Sequence, residues 1–273
     1  MSRSKKTLLI VISVFSALLC LLCCLYIYQF FKGSQVHEDV SQAAHAGVSA
    51  EESSQPSDTT EIPTTVTQAP EEDADPTPYI DFDALAEINE EIYAWLEIPG
   101  TGISYAILQS ATDDLYYNTH GVDKSYYSGG SIYTQRYNSK DFSDPMTLVY
   151  GHNFHDESLF APLLNFIDAD FFRDNRCIYI YTPDTVYTYE IFAAYPHTSE
   201  HLLLCYDFGD EAQFQRYFDS LSDSVINANY DRDLFPAFGD KVLTLSTCYR
   251  LSLGQRYLVQ AKLIDTQPYL QED

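Results

Sequence analysis

An uncharged, apolar run over residues 8–31 constrains the chain more than any other feature of its sequence. A helix of that length and composition can span the hydrocarbon core of a bilayer. Arg3, Lys5 and Lys6 precede the run, so the positive-inside rule predicts a cytoplasmic N-terminus and an extracellular location for everything that follows. No small-residue cleavage site follows the run, which disfavours a signal peptide. We therefore expect residues 1–32 to form a basic tip and a single-pass signal anchor in the cell membrane.

Composition divides the remaining chain into a linker and a folded domain. Residues 33–78 contain ten acidic residues, no Lys or Arg, and hardly any large apolar side chain. Such a segment cannot bury enough surface to offset the entropy of ordering it, so we predict a disordered acidic linker. Residues 79–273 have the apolar content of one extracellular domain. The whole chain carries a formal net charge of −25, which repels polyanions, so we expect no nucleic-acid partner.

Hydrophobic periodicity in this domain favours short strands over helices. An amphipathic helix capped by Asp81 is expected at its start, a broken helix over residues 157–172, and another helix over residues 210–221. Apolar or alternating runs predict strands over residues 93–98, 103–108, 131–134, 146–150, 177–181, 186–195, 242–248 and 255–263. We therefore predict a mainly β domain that closes into a barrel, with helices in its connections.

The strand over residues 242–248 ends on small hydroxyl residues and then on Cys248. A thiol at the end of a strand lies where loops converge and a substrate has access. Arg256 starts the next strand after a short loop, and it would lie close to Cys248 if the two strands form a hairpin. Three cysteines follow the apolar run, so at least one of them cannot pair within the chain. Cys177 and Cys205 lie in apolar segments and are expected to be buried or structural thiols.

Three motifs in order resemble those of the sortases, the membrane-anchored cysteine transpeptidases of Gram-positive cell surfaces. Residues 244–248, Thr-Leu-Ser-Thr-Cys, resemble the family signature T-L-x-T-C. A family sequence also carries an arginine about eight residues after the cysteine and a histidine roughly a hundred residues before it; Arg256 and His152 occupy those positions. The first helix, and the helix in the long connection before the cysteine strand, resemble class B sortases in particular. The resemblance therefore implies a closed sortase-type β-barrel.

The resemblance also implies roles for individual residues. Cys248 would be the nucleophile, and a neighbouring cation would stabilise its thiolate. His152 would act as general acid and then base, and Arg256 would bind the substrate carbonyl or oxyanion. Ser246 and Thr247 are expected to line the substrate pocket, although they could equally be small residues that pack the strand.

Competitors exist for two of these roles. His155 is the nearest alternative to His152, with His120, His197 and His201 more remote, and Arg250 is the alternative to Arg256. The sequence also departs from the class B pattern at Gln135, where an aspartate is expected.

The implied reaction is transpeptidation. A thioester with Cys248 would form on cleavage of a C-terminal sorting motif in a secreted protein, and an amine of a peptidoglycan precursor or a pilin would release it. No nucleotide, zinc or calcium motif is present in the sequence, so we expect no cofactor and no metal. Two alternatives remain open at this stage: a surface cysteine endopeptidase that releases the acyl group to water, and a tethered, non-catalytic β-barrel that binds a partner.

Overall fold

The computed structural model of the chain describes residues 3–45, 79–153, 158–221, 225–249 and 254–269. The first element, α1, runs from Arg3 to Ala44. The apolar side chains that it carries between Ile12 and Tyr28 are exposed. By length and composition, α1 is the one helix among the described residues that could cross a membrane, a property that it shares with signal sequences.

Helix α1 continues beyond the apolar run through residues 33–44, where the sequence predicted a disordered linker. Extending an existing helix avoids the cost of nucleating a new one, so even a polar sequence can continue it. Val40 and Ala44 are buried against the following domain, and the backbone N–H of Asp81 donates to the Ala44 carbonyl at 2.9 Å. Most of the predicted linker, residues 46–78, lies outside the described residues.

Eight strands form the closed barrel that the sequence predicted. The sheet order is β5-β1-β2-β3-β4-β8-β9-β6, and pairing between β5 and β6 closes it, while β7 extends the sheet beyond β6. The strands are β1 (Ile92–Ile98), β2 (Ile103–Leu108), β3 (Ile132–Thr134), β4 (Met146–Tyr150), β5 (Cys177–Tyr181), β6 (Thr185–Thr198), β7 (Asn229–Tyr230), β8 (Val242–Cys248) and β9 (Gln255–Pro268). The pairs β2–β3 and β4–β8 are parallel, and the other pairs are antiparallel.

Helices lie in the connections, as the sequence indicated. They are α2 (Phe82–Ile88), α3 (Ala169–Asp174), α4 (Leu202–Cys205) and α5 (Glu211–Asp219), with 3₁₀ turns at Tyr116–Asn118, Ala161–Ile167 and Arg232–Leu234. Asp81 caps α2, because its carboxylate accepts from the backbone N–H of Ala84 at 2.8 Å. The helix predicted before β5 is divided into a 3₁₀ turn and α3.

The strand that carries the cysteine separates two packed layers. Leu243 and Leu245 point into the main core of the barrel, together with Val259 of β9. Val242 points the opposite way, into a layer that contains Phe214 and other buried residues of α5. Because side chains alternate along a strand, Ser246 and Cys248 point to the same side as Val242.

Candidate active site

Cys248 and Arg256 lie directly opposite each other on β8 and β9. The guanidinium Nη1 of Arg256 donates to the Cys248 Sγ atom at 3.1 Å. The predicted hairpin and the predicted proximity of these two residues are therefore confirmed. A permanently charged donor beside the sulfur can stabilise negative charge that develops on it. Cys248 is half-buried and forms no disulfide.

His152 follows β4, the strand that pairs in parallel with β8. Tyr150 is opposite Ser246 in this pair, so His152 and Cys248 each lie two residues beyond the last paired position. The Asn153 side-chain amide donates to the Cys248 carbonyl at 3.0 Å. This bond joins the loop that carries the histidine to the end of the cysteine strand.

The imidazole of His152 is oriented by a backbone carbonyl. Its Nε2 atom donates to the carbonyl oxygen of Asn118 at 2.9 Å, which keeps a hydrogen on Nε2 and leaves Nδ1 as the nitrogen that can exchange a proton with a substrate. His152 and Arg256 line the same small cavity, together with Asn118 and Tyr133. The imidazole and the guanidinium of the predicted triad are therefore adjacent at one end of the barrel.

A larger cavity of about 330 Å³ shares Asn118, Tyr133 and Arg256 with the small cavity and is also lined by residues 197–202. Ser246 lines this larger cavity, and so do His201 and Leu202 at the start of α4. The His201 Nε2 atom donates to the side-chain oxygen of Gln135 at 2.6 Å. A cavity of this size, next to a thiol and a fixed cation, can hold a short part of an extended peptide.

Burial alters the ionisation of two groups around these cavities. It raises the pKa of Tyr133 to about 12, an effect that Arg256 opposes and Cys248 reinforces. Tyr133 therefore keeps its proton at neutral pH and can donate a hydrogen bond. Burial also lowers the pKa of His201, and the Asp114 carboxylate partly offsets that effect. His201 is consequently neutral at neutral pH.

The two residues predicted to line the substrate pocket, Ser246 and Thr247, lie on opposite faces of β8. Ser246 lines the larger cavity, whereas Thr247 is fully buried on the opposite face of β8, where its hydroxyl has no hydrogen-bond partner among the residues that the structure describes. The position of Thr247 gives no support to its expected contact with substrate. The competing residues His155 and Arg250 lie outside the described residues.

The other two thiols after α1, and the more remote histidines, lie outside the pair formed by Cys248 and Arg256. Cys205 is exposed at the end of α4, so its expected burial is wrong, and Cys177 is half-buried without a disulfide. His120 stacks on Tyr116 at 4.0 Å between ring centroids, and His197 lies opposite Arg256 on the other flank of β9.

Two site features had no clear signal in the sequence. The carbonyl of Asn118 orients His152 from a 3₁₀ turn more than thirty positions earlier in the chain. The pairing of His201 with Gln135 joins two segments that are distant in sequence; Gln135 stood out only as a departure from the class B pattern. Within the described part of the chain, no group of three or more His, Cys, Asp or Glu residues is arranged to hold a metal ion.

Comparison with known proteins agrees with this geometry. Residues 96–264 match the family model of the sortase domain. Sortase B of Listeria monocytogenes is 32% identical over 182 residues, which cover 66% of this chain and 72% of that protein. An X-ray structure of Clostridium perfringens sortase B matches with a TM-score of 0.60 at 26% identity, covering 68% of this chain and 100% of the other. Sortase B of Bacillus anthracis, in complex with AAEK1, matches with a TM-score of 0.64 at 26% identity. This match covers 87% of this chain and 99% of the other.

The closed barrel and these matches define a cysteine transpeptidase. The chain belongs to the sortase family, and its relatives and structural neighbours make it a class B sortase. The resemblance found in the three sequence motifs is thereby confirmed.

Proposed function

We propose that this class B sortase is anchored in the cell membrane by α1 and joins secreted proteins to a cell-wall amine through a thioester on Cys248. The proposal rests above all on the 3.1 Å hydrogen bond from Arg256 Nη1 to Cys248 Sγ. A fixed cation at that distance favours the anionic sulfur that attacks an amide carbonyl. The basic residues at the start of α1 favour a cytoplasmic N-terminus and an extracellular barrel.

In the first step, the Cys248 thiolate attacks the carbonyl carbon of the scissile amide. A carbon–sulfur bond forms, the carbon–nitrogen bond breaks, and His152 gives a proton to the departing amine. Because Nε2 of His152 donates to Asn118, we assign this proton transfer to Nδ1, which carries the proton when His152 is the imidazolium and is left unprotonated after the transfer. Arg256 has further N–H donors besides the one on sulfur, and these can stabilise the oxyanion.

In the second step, an amine attacks the thioester. The carbon–sulfur bond breaks, a new amide forms, and His152 removes a proton from the incoming nitrogen. The amine belongs to a peptidoglycan precursor or to a pilin lysine. Both are primary amines, which the acidic chain attracts when they are protonated.

The two cavities favour one direction for the substrate. A general acid must reach the leaving nitrogen, so the leaving part of the peptide lies on the His152 side. The acyl part then lies in the larger cavity, on the side of Arg256 that leads to His201. The class B assignment favours an N-P-x-T-x type of sorting motif for this position.

Mass spectrometry of the purified full-length chain in detergent micelles tests the proposal. Incubation with an N-P-x-T-x peptide should add the mass of the acyl fragment to the peptide that contains Cys248, and Cys248→Ala should remove this adduct. An amine acceptor should convert the adduct into a new amide product. Arg216→Ala, a change on the exposed face of α5, should leave both products intact.

Other outcomes would assign a different function. An adduct that is released only as free acid, at any concentration of amine, would favour a cysteine endopeptidase. The absence of an adduct with every tested motif, together with no selective alkylation of Cys248, would favour a non-catalytic binding module.

A further inference from the structure

The juxtamembrane segment, defined here as residues 33–44 of α1, packs directly on the barrel domain. The Nε2 atom of His37 donates to the carbonyl oxygen of Gly130 at 3.1 Å. The His37 ring also contacts the rings of Tyr105 and Tyr127, at 5.9 and 5.8 Å between centroids. Gly33 lies so close to Tyr127 that a Cβ atom at this position would overlap the aromatic ring. The segment is therefore fitted to this surface through specific contacts.

Residues 127–131, which receive most of these contacts, are hydrogen-bonded to the 3₁₀ turn Tyr116–Asn118 and to Thr119 directly after it. This turn carries the carbonyl that orients His152. The backbone N–H of Tyr127 donates to the Thr119 carbonyl at 3.0 Å, and that of Ser131 donates to the Tyr117 carbonyl at 2.9 Å. Gly130 has a φ of +62° and lies against the same turn, where a Cβ atom would overlap the Tyr117 carbonyl. Glycine permits both the conformation and the close approach.

This turn carries the carbonyl of Asn118, which accepts the hydrogen bond from His152 Nε2 at 2.9 Å. A contiguous path of contacts therefore leads from His37 through Gly130 and Asn118 to His152. We infer that the juxtamembrane segment is a positioning element for His152, and that His37 is its key residue. The inference rests on the catalytic role proposed above for His152.

A physical reason connects this path to the reaction. His152 must present one particular nitrogen to the substrate, and the Asn118 carbonyl sets which nitrogen carries hydrogen and where the ring points. A shift of about 1 Å in a catalytic group can lower a rate by up to a hundredfold. Because the segment is continuous with the apolar part of α1, the tether of the enzyme also supports its active site.

The test uses single substitutions in the full-length chain, with the peptide and amine assay described above. His37→Phe keeps the ring but removes the donor to Gly130, so kcat should fall by roughly tenfold while KM changes little. His37→Gln keeps an N–H donor and should restore most of kcat. His45→Phe is the matched control, because His45 contacts the Tyr79 carbonyl and the Trp95 ring rather than the loop. Its kcat should equal that of the unmodified chain.

Gly33→Ala provides an independent second variant. Alanine is a better helix former than glycine, so the substitution by itself should favour α1. A loss of kcat in Gly33→Ala would therefore arise from the overlap with Tyr127 and support the inference. An unchanged kcat in both His37→Phe and Gly33→Ala, or an equal loss in His45→Phe, would overturn it.

A further comparison separates this inference from the proposed function. His152→Ala in the same assay should abolish transfer. If His152→Ala is inactive while His37→Phe and Gly33→Ala are both fully active, only the positioning role is wrong. If His152→Ala is fully active, the catalytic assignment itself fails. Histidine ¹⁵N resonances should report a changed His152 tautomer in His37→Phe, a signal that general destabilisation would not produce.

Discussion

His152 and Cys248 occupy equivalent positions on two neighbouring parallel strands. Each lies two residues beyond the last pair of the β4–β8 ladder, Tyr150 and Ser246. The parallel ladder therefore brings the two side chains to the same end of the barrel, although about a hundred residues separate them. Asn153 strengthens this arrangement through its hydrogen bond to the Cys248 carbonyl.

Removing that bond should reduce the rate of transfer more than the stability of the domain. Asn153→Ala leaves the loop after β4 free to move relative to Cys248, so we expect kcat to fall by roughly tenfold. Asn175→Ala is the matched control, because the Asn175 amide also donates to one backbone carbonyl, that of Phe171, at 3.0 Å. Steady-state kinetics should show no loss in the control, and an equal loss in both variants would contradict the coupling.

Arg256 should not be replaceable by lysine. Its planar guanidinium can contact sulfur and substrate oxygen together, whereas an ammonium group is a single compact charge. We expect Arg256→Ala to lower kcat by about 10²–10³, as is typical for loss of an oxyanion donor, and Arg256→Lys to recover little of that loss. Full activity in Arg256→Lys would show that charge alone is sufficient, and Arg216→Lys serves as a surface control.

The elements that the sequence predicted well are those whose signals are local. The alternating strands, the Asp81 cap and the β8–β9 hairpin depend on residues close together in the chain. The parallel pairing of β4 with β8 joins segments almost a hundred residues apart, and only the resemblance to a family placed His152 near Cys248.

Residues 33–44 show why composition alone misjudged one segment. Their low apolar content predicts disorder, but that reasoning assumes that a helix must nucleate there. The segment instead extends a helix that already exists, and His37 and Val40 dock it on the domain. Thr247 differs, because alternation along β8 already places its side chain on the face opposite Ser246 and Cys248.

The buried amide of Gln260 should contribute strongly to stability. Its Nε2 donates to the hydroxyls of Tyr217 and Thr244 at 3.0 and 2.9 Å, and its Oε1 accepts from Tyr195 at 2.9 Å. Gln260→Ala leaves these buried hydroxyls without that partner, so we expect a loss of about 2–3 kcal/mol in the free energy of unfolding. Urea unfolding of the variant and of the unmodified chain measures this loss.

The same substitution at an exposed position on β9 provides the control. Gln267→Ala should change the free energy of unfolding by less than about 0.5 kcal/mol. Equal effects at the two positions would show that the buried network contributes nothing beyond an ordinary surface contact.

His201 should make the stability of the domain depend on pH. Burial lowers its pKa from 6.5 in the folded protein, despite the nearby Asp114 carboxylate, and the rings of Tyr137 and Tyr150 also face it. Below pH 6.5 the unfolded chain therefore binds more protons at this residue than the folded protein does. The stabilising contribution is complete above pH 6.5 and is lost as the pH falls through the folded-state pKa of His201.

His201→Gln isolates this contribution, because glutamine can still donate to Gln135 but does not titrate. Urea unfolding of both proteins between about pH 8 and about pH 5 should show a steeper loss of stability in the unmodified chain. As the pH falls, the unmodified chain should therefore lose more free energy of unfolding than the variant does. Parallel pH profiles would mean that His201 ionises equally in the folded and unfolded states, and a steeper profile in the variant would reverse the expected sign.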